Sequence, residues 1–415
     1  MSCPRLTTIR AATVAMTALF LALQPSAAVA QRERVDCSKD SLGLTPLTEM
    51  NGATYMGAEG GLYPGGSNSI PADHLALGMT LVELVRPLDS QGQPAEGGSI
   101  GFVGLGVSTT RRIWDSFTAL VAAESNINPA MVLVNSGFSG HPIGRWMEPE
   151  DSGWNYLEDQ VAAAGLSPAQ VQVTWVMMPD LPDPPPPFPE RQENYREQLQ
   201  AVLRKLKVTY PNLQLAYLSS HQYAGYGVGD VVDPGSGYEH AFGVKWTIES
   251  QINGEGNINA DSALGPIMAP WIAWGPYTWA DGVIPRADGL IWECDDFGSD
   301  GSHPREQGSL KLATLLMEFL SSDPTTTPWF LAEGVEPEPT TTTTIGTPTT
   351  TEPSTTTAPT TTLPSTATTA GLPQTETGND GSSTPWLLIV GIGVVIAVIA
   401  FGAAAALRNR PTGRK

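Results

Sequence analysis

Ile100-Gly101-Phe102-Val103-Gly104-Leu105-Gly106-Val107-Ser108-Thr109 is the stretch on which the fold turns. Its first six residues are apolar or glycine without interruption, the pattern of a short strand buried on both faces. Gly106-Val107-Ser108 breaks the run. From 109 to 124 the apolar residues Ile113, Phe117, Leu120 and Val121 then recur at helical spacing. A buried strand that passes straight into a helix opens a βα unit. The same alternation continues downstream, with strands expected at 131–134, 171–177 and 213–218. Helices are expected at 154–164, 194–210, 242–252 and 306–320. Strand, helix, strand, helix predicts an α/β fold of three α/β/α layers around a mainly parallel sheet. Residues 31–98 are rich in glycine (Gly60, Gly61, Gly65, Gly66) and read as an N-terminal extension of turns and hairpins packed on a domain spanning 99–333. Pro184 to Pro187 marks a stiff loop leaving the third strand.

The two ends of the chain predict a compartment. Residues 1–30 carry Arg5 and Arg10, a short apolar core and Ala28-Val29-Ala30, the features of a cleaved secretory signal. Residues 334–384 are mostly Thr, Pro, Ser and Ala, too poor in apolar side chains to offset the entropy of ordering, and read as a disordered stalk. Residues 385–407 hold no charge and are long enough for one transmembrane helix. The basic tail 408–415 follows, which keeps the C-terminus cytoplasmic and the bulk outside, tethered to the cell surface. Leu372-Pro373-Gln374-Thr375-Glu376 resembles a sortase signal with Glu376 in place of its glycine, so sortase is an expected partner beside the membrane itself. The composition, 22 basic against 42 acidic residues and a net charge of −20, argues against nucleic acid as a partner. Of three cysteines, Cys3 leaves with the signal. Cys37 and Cys294 remain as an even pair in an oxidising compartment, where a disulfide is the favoured reading.

Ligands of an open parallel sheet bind outside the carboxyl ends of its strands. The first such end presents Ser108, which fits either a helix N-cap or a nucleophile at the positive end of the helix, its own N–H facing an oxyanion. The second presents Asn135-Ser136-Gly137-Phe138-Ser139-Gly140-His141, with Gly140 N–H as a second oxyanion donor. Asp300-Gly301-Ser302-His303 stands just before the last expected helix. A nucleophilic serine needs a base and the base a carboxylate, and one tight turn presents both. His141 is a rival base because it neighbours Gly140. His74, His221 and His240 read as surface or packing residues.

These three blocks, in this order and on these elements, resemble the SGNH (GDSL-type) hydrolases, in particular a secreted bacterial branch. The resemblance covers about 100–320. It implies a flavodoxin-like α/β/α fold and a serine esterase acting through an acyl-enzyme on an extracellular ester, often on a carbohydrate or lipid. It implies Ser108 as nucleophile, His303 as base, Asp300 as its orienter, and the Ser108 and Gly140 amides as the oxyanion hole. One block differs: where the family has Gly-x-Asn-Asp after the third strand, this chain has Met177-Met178-Pro179-Asp180. The missing asparagine amide leaves Asn135 or Gln222 as substitutes. Asn135, His141, Trp274 and Trp279 are expected to line the substrate site, the tryptophans as a wall for sugar rings. A second reading of the missing amide, the tryptophans and the stalk is an inactive glycan-binding or adhesive module. No phosphate loop, dinucleotide fingerprint, zinc motif or EF-hand spacing occurs, so neither cofactor nor metal is expected.

Overall fold

Five parallel strands form the centre of the molecule: β1 (Ile100–Gly106), β2 (Met131–Gly137), β3 (Val171–Met177), β4 (Leu215–Leu218) and β5 (Trp271–Trp274). Their spatial order is 2-1-3-4-5. Seven α-helices occur among the described residues: α1 (Ala72–Val82), α2 (Ser108–Ala123), α3 (Ser152–Ala163), α4 (Glu190–Thr209), α5 (Ser236–Ile252), α6 (Glu306–Ser322) and the single turn α7 (Thr327–Phe330). The computed structural model describes residues 35–335 except 149–150, 183 and 229–234. The expected signal peptide, stalk, transmembrane segment, sortase-like motif and basic tail lie outside these residues. No helix among the described residues is long and apolar enough to cross a membrane.

Every residue of β1, β3, β4 and β5 is buried, so helices cover both faces of the sheet, as parallel pairing requires. On one face Phe102, Trp175 and Tyr217 meet α2, α6 and α7, and Trp271 meets α1. Trp114 lies edge-on to Phe102 at 4.9 Å, Phe319 edge-on to Tyr217 at 5.3 Å, and Trp329 edge-on to Phe102 at 5.3 Å. Gly104 makes room for this layer, because a Cβ there would stand 2.2 Å from the Trp114 ring. Helices α3, α4 and α5 pack in turn on one another as the opposite layer; Lys205 of α4 sits 4.6 Å over the Trp154 ring of α3. The sequence predicted the five helices α2 to α6, with ends no more than six residues from those observed. It did not predict β5, four residues between Pro270 and Gly275-Pro276, or α1 within the extension.

The N-terminal segment belongs to the same core. Leu47, Met50, Tyr63, Val82 and Val85 are buried with the strands. Thr54–Tyr55 pairs with Ala58–Glu59 as a small hairpin, and the buried Lys245 ammonium donates to the Glu59 and Gly60 carbonyls at 2.9 and 2.6 Å. The Asp281 carboxylate accepts from Ser41 Oγ, Leu42 N and Gly43 N. Cys37 and Cys294 form a disulfide with Cα atoms 5.4 Å apart, 257 residues apart in sequence. A cross-link of that span stabilises mainly by restricting the unfolded chain, by about 2–5 kcal/mol.

Candidate active site

The site begins where β1 becomes α2. Gly106 ends the strand with no room for a side chain: a Cβ would meet Thr110 Oγ1 at 2.1 Å and the Met177 carbonyl at 2.2 Å. Thr110 Oγ1 itself donates to Met177 O at 2.5 Å, and Phe138 N donates to Gly106 O at 2.8 Å. At the end of β2, Gly137 likewise lets the Arg111 backbone approach. These small residues seat the first turn of α2 low against the carboxyl edge of the sheet. Val107 is extended and occupies the N-cap position without a side-chain cap. Ser108 is the first helical residue, so its N–H has no intrahelical acceptor. The cap alternative for Ser108 therefore does not describe its hydroxyl, which contacts His303 Nε2 at 2.8 Å.

His303 and Asp300 share one turn ahead of α6. Phe297 and Pro304 pair across its base, and Gly298 N donates to His303 O at 2.8 Å. Gly301 has φ of +71°, and a Cβ there would stand 2.5 Å from Gly227 N. The position therefore needs glycine on both conformational and steric grounds. Asp300 Oδ1 accepts from Ser302 N at 3.0 Å and His303 N at 2.9 Å, and Oδ2 lies 2.7 Å from His303 Nδ1. Two outside groups fasten the turn: Gln222 Nε2 donates to Ser302 O at 2.8 Å and Arg112 Nη1 to Pro304 O at 2.9 Å. With Nδ1–H donated to the carboxylate, Nε2 is left as the acceptor facing the Ser108 hydroxyl. Burial by itself would raise the Asp300 pKa. The His303 ring and the His303 and Ser302 amides outweigh it and hold the carboxyl well below the usual range. The side chains of His303 and Asp300 remain 39% and 33% exposed, so the trio is open to a substrate.

The other expected site residues divide. Gly140 lies on the loop that Phe138 ties to the end of β1. It is exposed, with φ of +76° and open space where a Cβ would stand. Among the described residues His141 makes no hydrogen bond or ring contact with Ser108. Its ring stacks on Phe138 at 4.0 Å and its Nε2 faces Ser152 Oγ and Asp151. Asn135 Nδ2 donates to Arg111 O at 3.0 Å and to Asp115 Oδ1 at 2.7 Å, so both amide hydrogens brace α2. Trp274 and Trp279, expected on a substrate wall, are 3% and 0% exposed and belong to the core. An indole contributes about 3–5 kcal/mol in such a position. Trp274 also bonds the Leu62 carbonyl at 2.6 Å, under the N-terminal segment. No group of acidic, histidine or cysteine residues among the described residues is arranged to hold a metal ion.

Sequence reading missed the layer beneath the triad. Asp180, in the loop after β3, forms a buried pair with Arg191, whose Nε and Nη2 reach its carboxylate at 2.8 and 3.1 Å. His240 Nε2 contacts the Met178 carbonyl at 3.1 Å, and His221 lies edge-on to His240 at 5.2 Å. Beside them a cleft of about 500 Å³ opens between Pro142, Arg145, Met147, Leu181 and Tyr195. Burial pushes both histidines down to about 3; for His221 the neighbouring His240 and His303 add to the effect, and for His240 Arg191 does. His74, stacked on Trp271, is lowered by burial as well. All three take up a proton less readily in the folded protein than in the unfolded chain, which does so near pH 6.5. Stability is therefore complete above that pH and declines as the pH falls toward 3. The thermal midpoint is expected to drop steadily between pH 6.5 and 4; a flat profile there would show that these rings titrate freely. No protein family and no curated protein matches this chain.

Proposed function

We propose that this chain is a serine ester hydrolase of the SGNH (GDSL) type, acting through an acyl-enzyme on an extracellular ester, with a carbohydrate ester as the substrate class. The observation that carries the reading is the unbroken line Ser108 Oγ, His303 Nε2, His303 Nδ1, Asp300 Oδ2, with contacts of 2.8 and 2.7 Å. A strand order of 2-1-3-4-5 supports the flavodoxin-like arrangement of such enzymes. In this mechanism His303 Nε2 takes the Ser108 proton as Oγ bonds to the carbonyl carbon. The carbonyl oxygen gains the negative charge, held by the Ser108 and Gly140 amides. Collapse breaks the bond to the alcohol, which leaves with the proton from His303, and water repeats the sequence to free the acid. Asp300, ionised throughout, orients the ring and stabilises its cationic form. The proposal includes export, removal of residues 1–30 and tethering through 385–407, with the C-terminus inside and sortase as a candidate processing partner.

The rival reading, a glycan-binding module, drew on the tryptophan run, and those rings are buried. A fluorophosphonate probe separates the two. The hydrolase gains one covalent adduct, found by peptide mass on Ser108, and labelling requires the folded state. A folded protein that takes no label, or labels elsewhere, sinks the serine assignment.

A further inference from the structure

Three amides usually receive the oxyanion in the enzymes this chain resembles, and only two have been assigned here. The loop after β3 has no third to offer. Pro179 lacks an N–H, and its carbonyl accepts from Ile143 N at 2.9 Å. The Asp180 carboxylate is engaged by Arg191. The two substitutes named from sequence are also committed, Asn135 Nδ2 to α2 and Gln222 Nε2 to the Ser302 carbonyl.

The strand register points elsewhere. Gly106 of β1 pairs with Met177 of β3, and Val176 pairs with Leu218 of β4. Ser219 N still bonds the Val176 carbonyl at 2.9 Å just past the strand. Ser108, Pro179 and His221 each follow the carboxyl end of one of the neighbouring strands β1, β3 and β4. Strands β1 and β4 lie two strand spacings apart, about 10 Å, and His221 stands close enough to His303 for the charge on that ring to oppose its own. Pro179, after the strand between those two, projects no donor. The next residue, Gln222, holds the turn that carries His303. His240 backs the His221 ring edge-on and is itself fixed to the Met178 carbonyl. The Nε2 of His221 is shielded from solvent and has no hydrogen-bond partner among the described residues, while the Gln222 side chain interacts with the same ring. A polar atom left that way is costly unless it serves a bound group.

We infer that the ring N–H of His221 is the third oxyanion donor, standing in for the absent amide. This inference rests on the hydrolase reading above. A neutral imidazole carries one N–H; with the proton on Nε2 it donates without bringing a full charge into the site. Held neutral by burial and by the neighbouring rings, it suits an oxyanion that exists only transiently, because the interaction strengthens as charge develops.

The test uses the purified protein with p-nitrophenyl acetate and two kinds of variant. His221→Ala and His221→Phe remove the donor; His221→Asn and His221→Gln supply another. The donor-free pair should lose about 10²–10³ in kcat with KM within threefold, and the amide pair should stay within about tenfold of the parent. Donor-free variants that keep kcat within threefold, or amide variants that fall just as far, overturn the inference. A measurement on the unaltered protein guards against misfolded variants. Phenylboronic acid forms a tetrahedral adduct on a reactive serine, and its oxygen should move the His221 ring N–H resonance downfield. An adduct on Ser108 with an unmoved His221 resonance overturns the donor role and leaves the hydrolase reading intact. If no adduct forms and Ser108→Ala is as active as the parent, the hydrolase reading fails, and this inference with it.

Discussion

Replacing Ser108 by alanine is expected to lower kcat for short esters by about 10⁵–10⁶, with little change in thermal midpoint. The large effect follows from what the hydroxyl touches. It contacts His303 Nε2 and serves no helix cap, since Val107 holds that position. Removing one oxygen from a partly exposed helix start leaves Gly106, Thr110 and the β2 loop untouched, so the fold loses little. Alanine is also a good helix former. On the proposed mechanism, what remains is the oxyanion hole and substrate binding, which in serine hydrolases retain only a residual rate above water. The measurement is kcat beside a melting curve. A tenfold loss in kcat, or a loss matched by unfolding, would remove Ser108 from the chemistry.

Exchanging Asp300 for asparagine is expected to cost about 10⁴ in kcat near neutral pH. The side chain keeps its shape, and its oxygen can still accept from the Ser302 and His303 amides. The group facing His303 Nδ1 becomes an amide donor, which favours the tautomer with the proton on Nε2. That nitrogen then donates toward Ser108 instead of accepting its proton. The charge that stabilises the imidazolium is lost in the same step. The carboxylate also contributes to stability. Its folded pKa lies below the ordinary value near 3.8, so the contribution is complete above about pH 4 and disappears as the pH falls further through the depressed value. The asparagine variant should lack that part of the acid sensitivity. A kcat within tenfold of the parent would mean that Asp300 merely shapes its turn.

Much of the fold was legible from single stretches because parallel strands buried on both faces must be apolar throughout and amphipathic helices must repeat every 3.6 residues. The pairing of Asp300 with His303 was legible too, since both sit in one turn and the contact is local. The wall of tryptophans was not. Trp271, Trp274 and Trp279 look alike in sequence whether they face solvent or core. Their fate was decided by β5, a strand too short to announce itself, and by the N-terminal segment that closes over Trp274. The helix α1 was hidden for a related reason: its surroundings are glycine-rich, and it is held by packing of Gly78 against Trp271.

On its own, the chain's order of residues determined the α/β alternation, the serine at a strand-to-helix junction and the carboxylate beside an imidazole. Each of these depends on neighbours within a few positions, where covalent geometry limits the choices. Only tertiary structure decided that Ser108 and His303, 195 residues apart, meet at one edge of the sheet, that Asn135 braces a helix, and that His221 stands beside His240 with Asp180 and His303 near it. Those outcomes come from strand order and register, which are set by how the whole core packs and leave no mark on any short stretch of the chain.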